Sequence, residues 1–516
     1  MADFKKLRIG FVHPDLGIGG AERLVVDAAV ALKQLGHDVV MFTSRHDPAR
    51  CFEETRDGTL PVHVLASRIP QRLHPKVPMT IIFSILRSIA LSFLVFFSQV
   101  LPGPVGILNP LYPLDKFDVF IVDQQSVCVP FLRALTGTPV VFYCHFPDKL
   151  LSGGWVIDSS SSPGNVSLSR QNAPLLKRLY RWPIDRLEEW TTGQSDVILS
   201  NSKFTSQVYA SAFRTLSKRE PSVVYPAIDA TAYQKAAPAS GDGVELVVDD
   251  RLTLVSFNRF EAKKNVALAI ESFAKVKKDG LVTKSIARDL RLVVGGGYDD
   301  ALPDNRETLV KLQKLCDSLG LTHYTLTSQT ASPAPKGVDV LFVLNFSTAQ
   351  RSALLLGEST LALLYTPAHE HFGIVPIEAM ACGLPVLAAN SGGPTETVVD
   401  FASTEEPPTG FLREPTAEEW APALADLVTL STADREKVAK NGKKRVQDNF
   451  SSESLGRQLD KACKQAIRFD PHTLIGDKLI AYGVTLIIAG LIGLYIAVQY
   501  GGVQLPSLPD MTPPSE

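Results

Sequence analysis

The first half of the chain alternates short apolar runs with stretches whose apolar residues recur at helical spacing. LRIGFVH is followed by such a stretch from Ala21 to Gly36, and then come HDVVMFTS, PVHVLA, FDVFIVDQ, PVVFYCHF and SDVILSNS. Runs of this length, each bounded by turn residues, predict βαβ units and a parallel sheet covered on both faces. The second half repeats the scheme with RLTLVSFN, RLVVGGG, HYTLTS, VDVLFVLNF, LALLYTP and LPVLAAN. Two such halves predict an α/β protein with two facing Rossmann-like domains and a ligand cleft between them. The boundary is expected near Pro226, giving domains at 1–225 and 226–450. A helical segment at 451–470 is expected to return to the first domain. AYQKAAPASGDGVE predicts a loop just past the boundary, and the Ser-, Gly- and Asn-rich stretch from Gly154 to Pro174 predicts a mobile one.

Two longer apolar runs break this rhythm. Leu479 to Val498 holds 20 uncharged residues, and a helix of that length spans about 30 Å, the thickness of a bilayer core. Arg457, Lys461, Lys464, Arg468 and Lys478 precede it and no basic residue follows, so a crossing helix would leave the large body on the cytosolic side. The alternative is a buried soluble helix. The second run, Met79 to Leu101, lies between Pro78 and Pro102 and is interrupted by Arg87. PVHVLA before it and FDVFIVDQ after it both read as strands of one sheet, and a single crossing would separate them. The run is therefore expected to lie in the interface or to dip in and return, with an apolar buried helix as the alternative.

Composition narrows the function. At 516 residues the chain exceeds one ordinary core, and two domains are the default. A net charge of -2 argues against a dedicated nucleic-acid binder. Six cysteines without C-x-x-C pairs suit reduced thiols better than a disulfide framework or a zinc site. The opening MADFKKLRIGFVHPD runs straight into a strand and carries no signal-peptide core.

Four places carry candidate chemistry. Gly17-Ile18-Gly19-Gly20-Ala21-Glu22 follows the first strand and opens a helix, a turn through which backbone amides can approach a phosphate. It lacks the full G-x-G-x-x-G spacing, and no acidic residue ends the second strand, which argues against a dinucleotide cofactor. Arg259 and Lys264 lie five residues apart on one strand-to-helix loop, where both can reach a diphosphate; a solvated basic loop is the plainer alternative. In HEHFGIVPIEAMACGLPVLAANSGGPTETV, a strand leads into Glu370 and Phe372 to Val375 form a tight loop. Pro376 is expected to begin a helix, with Glu378 in its first turn and Gly383 closing it. That arrangement aims amides at an anion between two carboxylates, each able to accept a pair of sugar hydroxyl hydrogen bonds. His145 ends a first-half strand, on the sheet edge where doubly wound folds bind ligands.

Together these residues resemble the large retaining GT-B glycosyltransferase family with the E-x7-E motif, here Glu370 and Glu378. Within it, FVHPDLGIGGAERLVVDAA, CHFPDKLL, SNSKFT, FNRFEAKKN and HEHFGIVPIEAMACGLPVLA are most similar to the eukaryotic dolichol-pathway mannosyltransferases that add the second and third mannoses. The resemblance runs from about residue 8 to 460. It implies a GDP-mannose donor and a dolichyl-pyrophosphate-linked chitobiose acceptor carrying one mannose, extended by α-1,3 and α-1,6 transfer on the cytosolic face of the endoplasmic reticulum membrane. It also implies roles. Glu378 would bind ribose and Glu370 mannose, and Arg259 and Lys264 would hold the diphosphate. Gly19 and Gly20 would pack against it, Phe372, Gly373, Ile374 and Val375 would line the donor, and His145 would face the sugar. The family uses no D-x-D metal motif and none is present, so no cofactor or metal is expected. Other mannosyltransferases of that pathway are candidate partners. The alternatives are transfer to another lipid acceptor and a non-catalytic scaffold that binds nucleotide sugar.

Overall fold

The computed structural model describes residues 5–67, 69–70, 80–100, 115–152, 155–157, 166–170, 174–233, 240–327 and 334–468. The run at Leu479 to Val498 lies outside the described residues.

The first half builds a seven-stranded parallel sheet from β1 (Arg8–His13), β2 (Asp38–Thr43), β3 (Val62–Val64), β4 (Val119–Asp123), β5 (Val140–Cys144), β8 (Val197–Ser200) and β9 (Ser222–Val223), in the order β3-β2-β1-β4-β5-β8-β9. Between β5 and β8 the chain forms a separate antiparallel hairpin, β6 (Trp155–Ile157) and β7 (Leu168–Arg170). The Gly154 to Pro174 stretch thus holds strands where the composition predicts a loop. Alternation over three residues is too short a signal to stand out among serines.

The second half repeats the architecture with β10 (Thr253–Phe257), β11 (Arg291–Gly296), β12 (His323–Leu326), β13 (Val340–Leu344), β14 (Thr360–Tyr365), β15 (Val386–Ala389) and β16 (Gly410–Arg413), in the order β12-β13-β11-β10-β14-β15-β16. The central strands are buried along their whole length because helices cover both faces, which explains their unbroken apolar runs. Each sheet has a point where the strand order reverses, between β1 and β4 in the first and between β10 and β14 in the second. Crevices at the carboxyl ends of such strands are where this architecture binds ligands.

Helix Ser452–Arg468 buries Leu455, Leu459, Ala462, Cys463 and Ala466, one stripe at helical spacing, in the first half's core against helix Gly20–Gln34. The chain crosses between the sheets twice, and the crossings touch: Ile228 N–H donates to Phe450 O at 3.0 Å.

Helix Thr80–Val100 packs beside β2 and on the segment Ser126–Cys128. Among the described residues, its Thr80–Gln99 part is long and apolar enough to cross a membrane, and 22% of that window is buried. β3 before it and β4 after it belong to one sheet.

Candidate active site

The second-half site is built where β14 runs out. After Tyr365 the backbone turns, with His369 at φ 53° and Gly373 at φ 86°, and enters helix Ile374–Cys382. Gly373 is required twice, by its left-handed backbone and because a Cβ there would lie 3.0 Å from the Tyr365 ring. The loop is clamped from outside by Gly393, whose N–H donates to Glu370 O at 2.7 Å and whose Cβ position lies 2.2 Å from Phe372 O. The helix begins at Ile374 rather than at Pro376. A proline fits at the third position because that amide has no intrahelical partner. Glu378 is consequently the fifth residue, in the second turn rather than the first, and Ile374 and Val375 supply the first free amides.

Glu378 is 6% exposed. One oxygen accepts from the Tyr233 hydroxyl at 2.9 Å, and the other pairs with Arg351 from helix Thr348–Leu356. Glu370 pairs with Lys264, which arrives from the loop after β10, and Thr366 Oγ1 fixes that loop by donating to Lys264 O at 2.7 Å. Burial pushes the Glu370 carboxyl up, but Lys264 outweighs it and holds the group below the ordinary carboxylate range. Of the two predicted cations, only Lys264 is drawn into the site. Arg259 projects into solvent, 66% exposed, 3.7 Å from Glu261.

The first-half site lies at the carboxyl ends of β1, β4 and β5. Asp123 is buried between two imidazoles: one oxygen meets Nδ1 of His13 and the other Nε2 of His145. Burial would raise the Asp123 carboxyl, yet the two imidazoles of His145 and His13 against it hold it far below its usual range. Burial alone would lower His13, but Asp123 and then Glu22 lift it to about 9. Glu22 Oε1 is 3.9 Å from His13 Nε2, in the first turn of helix Gly20–Gln34. Gly19 caps that helix so closely to Glu22 that a Cβ would lie 2.1 Å from its carboxylate, whereas a Cβ on Gly20 would meet nothing within 4 Å. Both glycines stay on the first-half side, joined to His145 through Glu22, His13 and Asp123.

The two halves meet at this level. The Phe146 ring stacks on His371 with centroids 3.6 Å apart, and Ser202 Oγ donates to His371 O at 2.6 Å. The amides of Lys203 and Phe204 donate to the two oxygens of Glu396 at 2.7 and 2.8 Å. Burial drives the His371 imidazole down to about 4, so it is neutral between Glu370 and the neighbour of His145.

Residues 18–232 match the sequence model described as Glycosyltransferase Family 4, and residues 243–445 match that described as Glycosyl transferases group 1. Over 96% of its length the chain is 37% identical to Alpha-1,3/1,6-mannosyltransferase ALG2 of Rhizomucor pusillus, covering 98% of that protein. The chain belongs to the ALG2 family. The ALG2 enzyme of Dictyostelium discoideum is 37% identical over 90% of this chain and 99% of its own, and that of Saccharomyces cerevisiae 34% over 90% and 86%. The fold of this ALG2-family chain is GT-B. Among solved structures it resembles sucrose-phosphate synthase from Thermosynechococcus elongatus (TM-score 0.60, 18% identity, 89% of this chain and 99% of that one). It also resembles Anabaena HepE in complex with UDP and glucose (TM-score 0.55, 16% identity, 89% and 99%).

Several residues of the ALG2 site escape a reading of the sequence. His13 and Asp123 each end an apolar strand on the ligand-binding edge, a signal the sequence carries once β1 and β4 are known to be neighbours. Tyr233, 145 residues away in the chain, and Arg351 reach Glu378 from other elements, and no local pattern marks them.

Proposed function

We propose that this chain transfers mannose from GDP-mannose, with retention, to a dolichyl-pyrophosphate chitobiose carrying one mannose, making one α-1,3 and one α-1,6 linkage. Membership of a family whose curated members are α-1,3/1,6-mannosyltransferases supports the reaction. The observation that carries the mechanism is the Lys264–Glu370 pair, next in the chain to His371, on which Phe146 stacks, and on the loop that leads to the first amides of helix Ile374–Cys382.

In this reading the donor diphosphate takes Lys264 away from Glu370. Lys264, Arg259 swung in from solvent, and the amides at the start of helix Ile374–Cys382 meet its charge without a divalent ion. Phe372 and Gly373 shape the loop beneath it, and Gly19 and Gly20 close from the other side. Freed from Lys264, Glu370 accepts from mannose hydroxyls, and Glu378 holds the ribose. The departing diphosphate oxygen takes the acceptor proton on the face from which it leaves. The bond to the acceptor oxygen therefore forms on that face, and configuration is retained. His145, oriented by Asp123, lies beside the reacting sugar. The body works at the cytosolic face of the endoplasmic reticulum membrane, where the lipid-linked acceptor is found.

Incubation with GDP-mannose and synthetic monomannosyl chitobiose pyrophosphate lipid, followed by linkage analysis, tests this. One α-1,3 and one α-1,6 mannose are expected in the product. Donor binding without transfer, or a different linkage pair, overturns it.

A further inference from the structure

Helix Thr80–Val100 carries one charged residue, Arg87, in an otherwise uncharged sequence. Its Nε is buried and has no hydrogen-bond partner, a costly state for a charged donor. At 100° per residue Ser84, Arg87, Ser88 and Leu91 fall within an arc of about 100°, so they share one face of the helix. That face looks onto the carboxyl edge of the first sheet, where Ser84 and Ser88 line a small cavity with Pro14, Ser44, Asp123 and Gln125. Gln125 Nε2 donates to Ser84 Oγ at 2.7 Å, and Gln125 Oε1 is buried without a partner. The charges that act on Arg87 are those of Asp15 and Arg45, which follow Pro14 and Ser44 in the chain. Arg45 Nη1 lies 3.2 Å from Asp15 Oδ2, with its side chain 51% exposed. The two loops are stitched together: Ser44 Oγ donates to Pro14 O at 2.7 Å, and Leu16 N–H to Arg45 O at 3.0 Å.

The place of this pair in the fold identifies what it meets. The donor diphosphate is met on the second half by Lys264, Arg259 and helix amides, which leaves the acceptor's own diphosphate to the first half. Strands β2, β1, β4 and β5 lie side by side, so Arg45 past β2 and His145 past β5 are three strand spacings apart, about 14 Å. A chain of three pyranose rings has that reach. An acceptor whose mannose lies at His145 would cross above Asp123 and His13 and bring its diphosphate to the two guanidiniums.

We propose that Arg45 and Arg87 form the binding site for the acceptor's diphosphate, with the Ser84–Gln125 pair beside the sugars that adjoin it. The inference rests on the reaction proposed above. Arg45 leaves Asp15 for the diphosphate, and each guanidinium meets phosphate oxygens in pairs through its planar fork. The site sets how the acceptor is recognised: by the charge at one end of the trisaccharide as well as by the mannose at the other.

The test uses the full chain in nonionic detergent free of phospholipid, with two acceptors. One is monomannosyl chitobiose on a short isoprenyl diphosphate; the other is the same trisaccharide as an uncharged alkyl glycoside. Arg45→Gln and Arg87→Gln are each expected to raise the KM for the diphosphate acceptor at least about tenfold and to narrow its advantage over the glycoside by the same factor. The KM for GDP-mannose is expected to stay within about twofold. Arg45→Lys and Arg87→Lys keep the charge but lose the fork, and are expected to fall between. An unchanged preference overturns the proposal, and so does an equal loss on both acceptors. A rise in the KM for GDP-mannose also overturns it, because the cations would then serve the donor. So does an effect that appears only when anionic phospholipid is added, which would assign the arginines to lipid headgroups. A wild-type chain that transfers to neither acceptor refutes the reaction itself, so the two failures are distinguishable. A wild-type melting temperature certifies Arg87→Gln; if it melts early, Arg45→Gln on the exposed loop decides alone.

Discussion

Nε2 of His145 meets Oδ2 of Asp123, a carboxylate only 2% exposed whose other oxygen is occupied by His13. An ionised carboxylate only accepts, so Nε2 carries the proton and the imidazole orientation is fixed before substrate arrives. Asp123→Asn keeps the shape and loses the charge. We expect kcat to fall by about 10²-fold with little change in the KM for GDP-mannose, because the effect is one of positioning and field rather than of donor contact. A rise in KM alone, in steady-state kinetics, would contradict the assignment.

Two buried histidines, His13 in this cluster and His371 across the cleft, make stability depend on pH from both sides. His13 is lifted to about 9 by Asp123, above its unfolded value of roughly 6.5. Its contribution is full below 6.5 and is lost as pH rises toward 9, where the folded state alone still binds the proton. His371 is driven down to about 4 by burial, so between pH 6.5 and about 4 the unfolded state binds the extra proton, and stability falls as pH falls. Melting temperature measured from pH 4 to 10 is expected to peak near neutrality. Asp123→Asn is expected to flatten the alkaline limb and His371→Asn the acid one. Unchanged limbs in the variants would assign the slopes to other groups.

Lys264 and Glu370 are expected to respond asymmetrically. Lys264→Ala removes charge from the diphosphate and leaves the half-buried Glu370 without its partner, so kcat/KM falls by roughly 10²- to 10³-fold. Glu370→Gln leaves the cation free for the donor and removes only the sugar grip. Calorimetry is expected to show GDP binding preserved or tightened in Glu370→Gln while mannose transfer drops. Loss of GDP binding in both variants would place Glu370 on the nucleotide instead.

The second-half site was largely legible because its residues are local. The sequence places Glu370, Gly373 and Glu378 on one strand-loop-helix unit, and hydrophobic periodicity locates that unit within a residue or two. The helix start is misread by two residues, since Pro376 suits both the first and the third position. Lys264 is legible as a cation on a strand-end loop, but its pairing with Glu370 depends on β10 and β14 being adjacent, which strand order in the sequence conceals. The first-half cluster is the extreme case: His13, Asp123 and His145 come from three strands, and only the order β1-β4-β5 brings them together. The hairpin β6–β7 is hidden for the opposite reason, being too short to impose a period.

Glu378 is expected to separate binding from chemistry. One oxygen accepts from Tyr233 and the other forms an ion pair with Arg351, so truncation to alanine would also cost on the order of 1–3 kcal/mol by leaving a half-buried arginine without its carboxylate. Glu378→Gln avoids most of that cost. If the ribose is gripped equally in ground and transition states, KM for GDP-mannose rises about tenfold while kcat holds. Tyr233→Phe, losing one hydrogen bond to the same carboxylate, is expected to raise KM by a few-fold in the same direction. A kcat effect without a KM effect would move Glu378 from the nucleotide to the reacting sugar.

Glu396 ties the two halves together at a distance from the reacting atoms. Its carboxylate takes both the Lys203 and the Phe204 amides and the Tyr225 hydroxyl at 3.1 Å, at the start of helix Lys203–Ala212, where a negative charge is favoured. Ser202 still caps that helix, accepting from Thr205 N–H at 2.9 Å, so Glu396→Ala leaves the helix intact and removes the bridge. Chemistry across the cleft requires Phe146 and His371 to stay in contact, and the bridge lies on the Ser202 side of that contact. We expect kcat to fall about tenfold with donor KM unchanged and a larger radius of gyration in X-ray scattering. The first domain's own melting transition, followed by hydrogen exchange in helix Lys203–Ala212, is expected to stay where it is. A collapse of protection in that helix would show that Glu396 supports the helix itself rather than the closed arrangement of the two halves.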